Sequence, residues 1–299
     1  IFSAKHEPKT NKRSECNIST FRSGLSTGVL KFIILQYFLK FNHKIKHNTL
    51  ICGASERMAD NLMNLYCLDI LLNKYSNVYY IDGETLLGED DENGYLAQFA
   101  RFGNKFNWAK NRADIIRFIN KIYDFYVEQR KGNSDEQVYV FIKNLQFVDL
   151  IKTMFKGESI DESEYLEPDE ISSEDEFDFG ASSNLSVSEK LLKLVDDGSA
   201  YGIHFIVSSL EYQTVKESMY YGENVLTKFP ERYVFSLSDS DSDSLVDGVA
   251  VSSLRDNTVY YSDSVKNTFQ LKPYIFPKVE GLRAFLDKQI SKEGEGDEC

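Results

Sequence analysis

Residues 48–62, NTLICGASERMADNL, decide how the rest of the chain is read. The run Thr49, Leu50, Ile51, Cys52 is apolar without alternation, which marks a strand buried on both faces. It stops at Gly53. From Met58 onward Leu62, Leu65, Tyr66 and Ile70 recur at helical spacing to about Lys74, so the segment predicts strand, turn, helix. The same unit recurs along the chain. A strand is predicted over 77–81 ending at Asp82-Gly83, an amphipathic helix over 112–130, and a third core strand over 138–145. A helix over 187–195, ended by Asp197-Gly198, leads into an all-apolar strand over 203–209. Beyond it the pattern predicts a helix over 211–219, a strand over 232–237, a short helix over 241–246, and strands over 258–262 and 269–276. Strands apolar on both faces that alternate with helices imply a mainly parallel α/β sheet covered by helices. Ligands of such sheets sit beyond the carboxyl ends of the strands.

Composition is consistent with this. The chain has 299 residues, 42% hydrophobic and 27% charged, which suits a folded core and excludes a wholly disordered chain. The formal charge of −13 is concentrated: residues 157–179 hold eleven Asp or Glu and no Lys or Arg, and the remainder is close to neutral. Generic coating of DNA, which needs many cations on phosphates, is thereby disfavoured. Cys16, Cys52, Cys67 and Cys299 have no metal-ligand spacing, so reduced thiols in a cytoplasmic protein are expected. The apolar run 29–41, VLKFIILQYFLKF, is too short to span a bilayer and is expected to be buried. The chain begins at Ile1 with a polar stretch, and the expectation is a piece of a longer protein.

The turn after the first strand is where α/β proteins hold phosphate, because backbone N–H groups and the helix dipole converge there. The pattern G-x-x-x-x-G-K-[ST] needs a second Gly to wrap the phosphates, a Lys to neutralise them and a hydroxyl for magnesium. Only Gly53 fits. Met58, Ala59 and Asp60 stand in the other three slots, Glu56 adds a negative charge, and Arg57 is the one cation nearby. The third strand departs in the same way. In VYVFIKNLQ the end of the strand carries Lys143 and Asn144, where a hydrolase places Asp, often followed by Glu, to hold magnesium. A cation does not ligate another cation.

With these segments in order, the chain resembles the FtsK/SpoIIIE branch of the HerA-FtsK motor ATPases. The segment NTLICGASERMADNL is similar to that family's phosphate-loop strand and helix. YYIDGE resembles its second strand, with Asp82-Gly83-Glu84 where the family has Asp-Pro-Lys, and IYDFYVEQR resembles the helix before the magnesium strand. In LLKLVDDGSAYGIHFIVSSLEY, Gly202, Ile203 and His204 match the family's Gly-Ile-His, while Leu210 stands where a polar sensor Gln belongs. In FPERYVFSLSDSDSDSLVDG, Pro230 and Arg232 match. The resemblance covers roughly residues 48–274. It implies a RecA-like P-loop NTPase fold with the reactive slots substituted, as in degenerate modules of multi-ATPase translocases and bacterial type VII secretion coupling ATPases. The implied function is a pseudo-ATPase domain of structural or regulatory role, without catalytic residues, cofactor or metal. It would contact other ATPase domains of the same chain or hexamer, a protein substrate or DNA, with His204 and Arg232 as candidate interface residues. Two alternatives stand beside it: an active DNA translocase using ATP and magnesium through an atypical loop, and a binding module that recruits a basic partner through the acidic insert.

The expected organisation is a polar linker or upstream end over 1–28 and a first part of the RecA-like domain over 29–156. A disordered acidic insert over 157–186, a second part over 187–278 and a C-terminal helix and tail over 279–299 follow. Within the insert Tyr165, Leu166, Phe177 and Phe179 are candidate docking anchors, and charge screening over about 8 Å confines any repulsion to nearby surfaces. Asp82, Glu84, Glu89, Asp90, Asp91 and Glu92 fit no calcium-loop spacing and read as a solvated loop. The SDSDSDS run at 238–244 reads as a helix-capping turn.

Overall fold

The structure is a computed structural model, and it describes residues 47–72, 76–86, 94–132, 136–167, 185–218, 227–246, 251, 254, 258–263, 268–273 and 275–294. Eight strands form one sheet: β1 (Thr49–Cys52), β2 (Ser76–Asp82), β3 (Phe106–Ala109), β4 (Gln137–Lys143), β5 (Ile203–Ser209), β6 (Glu231–Val234), β7 (Val259–Ser262) and β8 (Thr268–Leu271). Their order is β3-β2-β4-β5-β1-β6-β7-β8. The six from β3 to β6 are parallel, and β7 and β8 add on antiparallel at one edge. This is the mainly parallel, helix-covered α/β sheet that the sequence predicts.

Helices cover both faces. On one face α1 (Glu56–Leu71) packs with α3 (Tyr95–Phe99) and the C-terminal α9 (Val279–Gly294), burying Leu62, Met63 and Leu68 against Tyr80 and Phe141. On the other, α4 (Arg112–Lys131), α5 (Asp149–Phe155) and α6 (Val187–Asp197) enclose Leu50, Val140 and Phe205. The remaining short helices are α2 (Gly83–Leu86), α7 (Tyr212–Ser218) and α8 (Asp239–Leu245). Asn111 caps α4 by accepting from the Asp114 N–H, and Arg130 and Lys131 in its last turn complement the helix dipole. Ser186 and Glu189 form a capping box on α6.

Asn48 ties the centre together. Its Oδ1 accepts from the Phe205 N–H at 2.9 Å, and its Nδ2 donates to the carbonyls of Val195 and Lys228 at 3.0 and 3.1 Å.

α6 ends at Asp197-Gly198 as predicted, and a separate tight turn over Gly198–Tyr201 follows it, closed by Gly202, whose φ of 79° opens the way into β5. Some expectations are corrected. β4 ends at Lys143, because Asn144 is left-handed at φ 54°. The edge strand β3 was not foreseen. The acidic segment is placed over 157–167: Leu166 is buried in the core, Tyr165 packs beside it, and Ser188 Oγ donates to the Glu158 carbonyl at 2.6 Å. Those two side chains therefore serve the fold rather than docking. Phe177 and Phe179, the run 29–41, Glu89 to Glu92, and Cys16 and Cys299 lie outside the described residues. Among the described residues no helix is long and apolar enough to cross a membrane.

Candidate functional site

The carboxyl ends of β1, β2, β4 and β5 line up at one rim of the sheet. Register places Cys52 beside Ser209 and Asp82 beside Lys143. The turn from β1 into α1 spans only Gly53, Ala54 and Ser55, and its amides are directed inward. Gly53 N–H donates to the Ser209 carbonyl and Ala54 N–H to the Ser236 carbonyl, both at 3.1 Å, and Ser55 N–H to the Gly53 carbonyl at 2.7 Å. These three turn donors are used inside the fold. Gly53 itself has φ 123°, and a Cβ there would lie 2.9 Å from the Phe235 backbone, so this glycine is required by packing. Met58 and Ala59 are buried in the α1 face of the core, 3% and 2% exposed, whereas Glu56 and Arg57 face solvent.

Lys143 is the centre of the site. Its Nζ donates to Glu84 Oε2 at 2.7 Å and lies 3.5 Å from both Asp82 Oδ2 and Asp60 Oδ1. Asn144 Nδ2 donates to Glu84 Oε1 at 2.8 Å, and the Asn144 N–H donates to Ser208 Oγ at 3.0 Å. Gly83 makes this approach feasible, since a Cβ there would come within 2.7 Å of the Asn144 carbonyl oxygen.

Charge states follow from burial and proximity. Burial alone would lower the Lys143 pKa; Asp82, Asp60 and Glu84 outweigh it and raise it. Asp60 is pushed up to about 6, chiefly by burial, with the Lys143 charge pulling the other way and Glu84 and Asp82 adding to the rise. Asp82 is raised for the same reason, while Glu84 is lowered because its bond to Lys143 prevails over burial.

At the end of β5, Leu210 offers no polar side chain. A glutamine reaches that place from another strand end: Gln146 Oε1 accepts from the Leu210 N–H at 3.3 Å and from Ser209 Oγ at 3.4 Å. Nothing in the spacing of Gln146 signalled this. His204 is only 3% exposed, packed beside Tyr139 with ring centroids 5.2 Å apart and planes tilted by 32°, and burial lowers its pKa to about 4. It is a core residue, not a surface contact. Arg232 is half-buried, donating to the carbonyls of Phe229 at 3.0 Å and Leu245 at 2.8 Å.

The fold matches known machinery. The cytoplasmic domain of the type VII secretion ATPase EccC from Thermomonospora curvata superposes with a TM-score of 0.52 at 11% identity, over 78% of this chain and 24% of that one. The chain has the mainly parallel, helix-flanked α/β fold of that ATPase. A second structure from that organism, EccC ATPases 2 and 3 in complex with a signal sequence peptide, has a TM-score of 0.49 at 11% identity, over 78% of this chain and 37% of that one. The DNA-packaging ATPase B204 of Sulfolobus turreted icosahedral virus has a TM-score of 0.48 at 10% identity, over 77% and 98%. No family model and no curated protein matches the sequence. The chain thus spans well under half the length of the secretion ATPases it resembles.

On this ATPase fold the residues present do not make the donor set that magnesium-ATP requires. The hydroxyl slot is the carboxylate of Asp60, the magnesium-carboxylate slot is the ammonium of Lys143, and the two pair with each other. An incoming metal meets a fixed positive charge, and an incoming triphosphate meets three carboxylates.

Proposed function

We propose that this chain is a pseudo-ATPase domain of a translocating machine, with a structural or regulatory role toward neighbouring ATPase domains in the cytoplasm. The observation that carries the reading is the Lys143 ammonium held by Asp60, Asp82 and Glu84 where an active site would hold magnesium. The inward-facing amides of the β1–α1 turn support it. A built-in cation keeps the strand ends in the arrangement a bound metal would impose, so the domain holds its shape with no nucleotide. The secretion ATPases that share its fold contain several ATPase units, which supports a partner of that kind. Isothermal titration with magnesium-ATP and a steady-state hydrolysis assay test the reading. No binding heat and no turnover are expected; micromolar binding together with turnover lost in Arg57→Ala would overturn it.

A further inference from the structure

A cavity of about 470 Å³ opens beside the Lys143 cluster, between α1, the ends of β2 and β4, and residues 94–96. That volume is in the range of small-ligand sites. Asp60, Asp82 and Glu84 form its acidic wall. Tyr80, Tyr95 and Trp108 contribute its aromatic wall, Tyr80 and Trp108 being neighbours in the β2–β3 register.

We infer that this cavity binds an organic cation, a guanidinium or alkyl-ammonium group, with the charged head on the carboxylates and its body against the aromatic side chains. Three carboxylates face the single ammonium of Lys143, so the wall carries a negative excess. Asp60 Oδ1 is buried and, beyond its 3.5 Å ion-pair contact with Lys143, accepts no hydrogen bond among the described residues. Aromatic faces attract cations, more so when water is excluded. Trp108 Nε1 is buried with no acceptor among the described residues, which leaves an N–H for a carbonyl on the ligand.

The chemistry disfavours the other ligand classes. A phosphate would be repelled by the acidic wall. A metal ion would have to displace Lys143, and among the described residues no group of three or more acidic, His or Cys side chains is arranged to hold one. The inference rests on the reading that this rim no longer takes magnesium-ATP.

The same group can arrive as a free small molecule or as an arginine on a protein segment. Trp108 is the only tryptophan in the chain, so its fluorescence reports on the cavity directly. The probes are n-butylguanidinium and Nα-acetylarginine amide, with Nα-acetylcitrulline amide as a neutral control of the same shape. Both guanidinium probes are expected to give saturable changes, at least tenfold tighter than citrulline, and Asp60→Asn should weaken them at least fivefold. Equal affinity of the two probes means the head group alone is read; tighter binding of the arginine amide means a peptide-borne arginine. No saturable response to either probe, or an equal response to citrulline, would overturn the inference without reference to any variant. Magnesium-ATP binding and turnover are measured in parallel: the two together overturn the pseudo-ATPase reading, whereas guanidinium silence without them overturns this inference alone.

Discussion

Lys143 Nζ lies 3.5 Å from Asp60 Oδ1, and these two residues stand in the slots where the phosphate-loop pattern and its magnesium strand call for a hydroxyl and a carboxylate. The residues at both positions differ from that pattern, and their charges are complementary. Without Asp60, Lys143 would keep Glu84 and Asp82 as partners, but without Lys143 the acid at residue 60 would add to the repulsion from Asp82 and Glu84. Together they close the centre electrostatically.

Lys143→Met should therefore destabilise the fold by about 3–5 kcal/mol, because it leaves Asp82 and Asp60 part-buried without their cation. Adding Asp82→Asn and Glu84→Gln to that variant should recover much of the loss, since the acids that needed the cation are then neutral. Urea midpoints of the single and triple variants measure both effects. A triple variant no more stable than the single one would contradict the account.

How much of this was legible in the sequence follows from where each residue sits. β1 and β5 could be read because both faces of each are buried, which writes continuous apolar runs into residues 49–52 and 203–209. β3 could not. It is a four-residue edge strand, FNWA, with Asn107 and Trp108 only partly buried, so neither a run nor an alternation marks it. The departures at Asp60 and Lys143 were visible as separate losses; their meeting was not. It depends on β4 pairing with β2 beneath α1, a relationship between residues 83 positions apart that no local pattern carries. The cavity was hidden for the same reason, since it needs Tyr80 and Trp108 side by side.

Gly53→Ala should cost about 2–4 kcal/mol, from left-handed strain at φ 123° and a contact of 2.9 Å with Phe235. The prediction distinguishes two reasons for a glycine at this position. If Gly53 served only a bound phosphate, alanine would leave the stability of the nucleotide-free protein unchanged. Thermal melts of the two proteins decide.

Asn48→Ala should cost about 2–4 kcal/mol, although it removes few atoms. Three backbone groups, the Phe205 N–H and the carbonyls of Val195 and Lys228, lose their partner at a site that is 4% exposed. Hydrogen exchange at Phe205 provides the local readout: its protection should fall more than that of Val140, its register partner in β4, whose side of the ladder does not involve Asn48.

Glu231 gives a pH signature with a definite sign. It is 7% exposed at the start of β6, and burial, with the Asp263 charge adding to it, pushes its pKa from 4.5 up to about 7. Between these two values the folded chain holds a proton that the unfolded chain has released, so this group's contribution to stability falls as pH rises through that window. Above about pH 7 the buried charge costs on the order of 2–3 kcal/mol. His204 acts in the opposite direction, its pKa lowered to about 4, so it loses stability as pH falls below 6.5. The two effects oppose each other in the wild-type curve, and a difference measurement separates them. Glu231→Gln should be more stable than wild type by about 2–3 kcal/mol at pH 8, and the gap should shrink steadily toward pH 4.5, with His204, Asp60 and Asp82 cancelling in the comparison. A gap that stays constant from pH 8 to pH 4.5 would show that Glu231 is not held protonated by the fold.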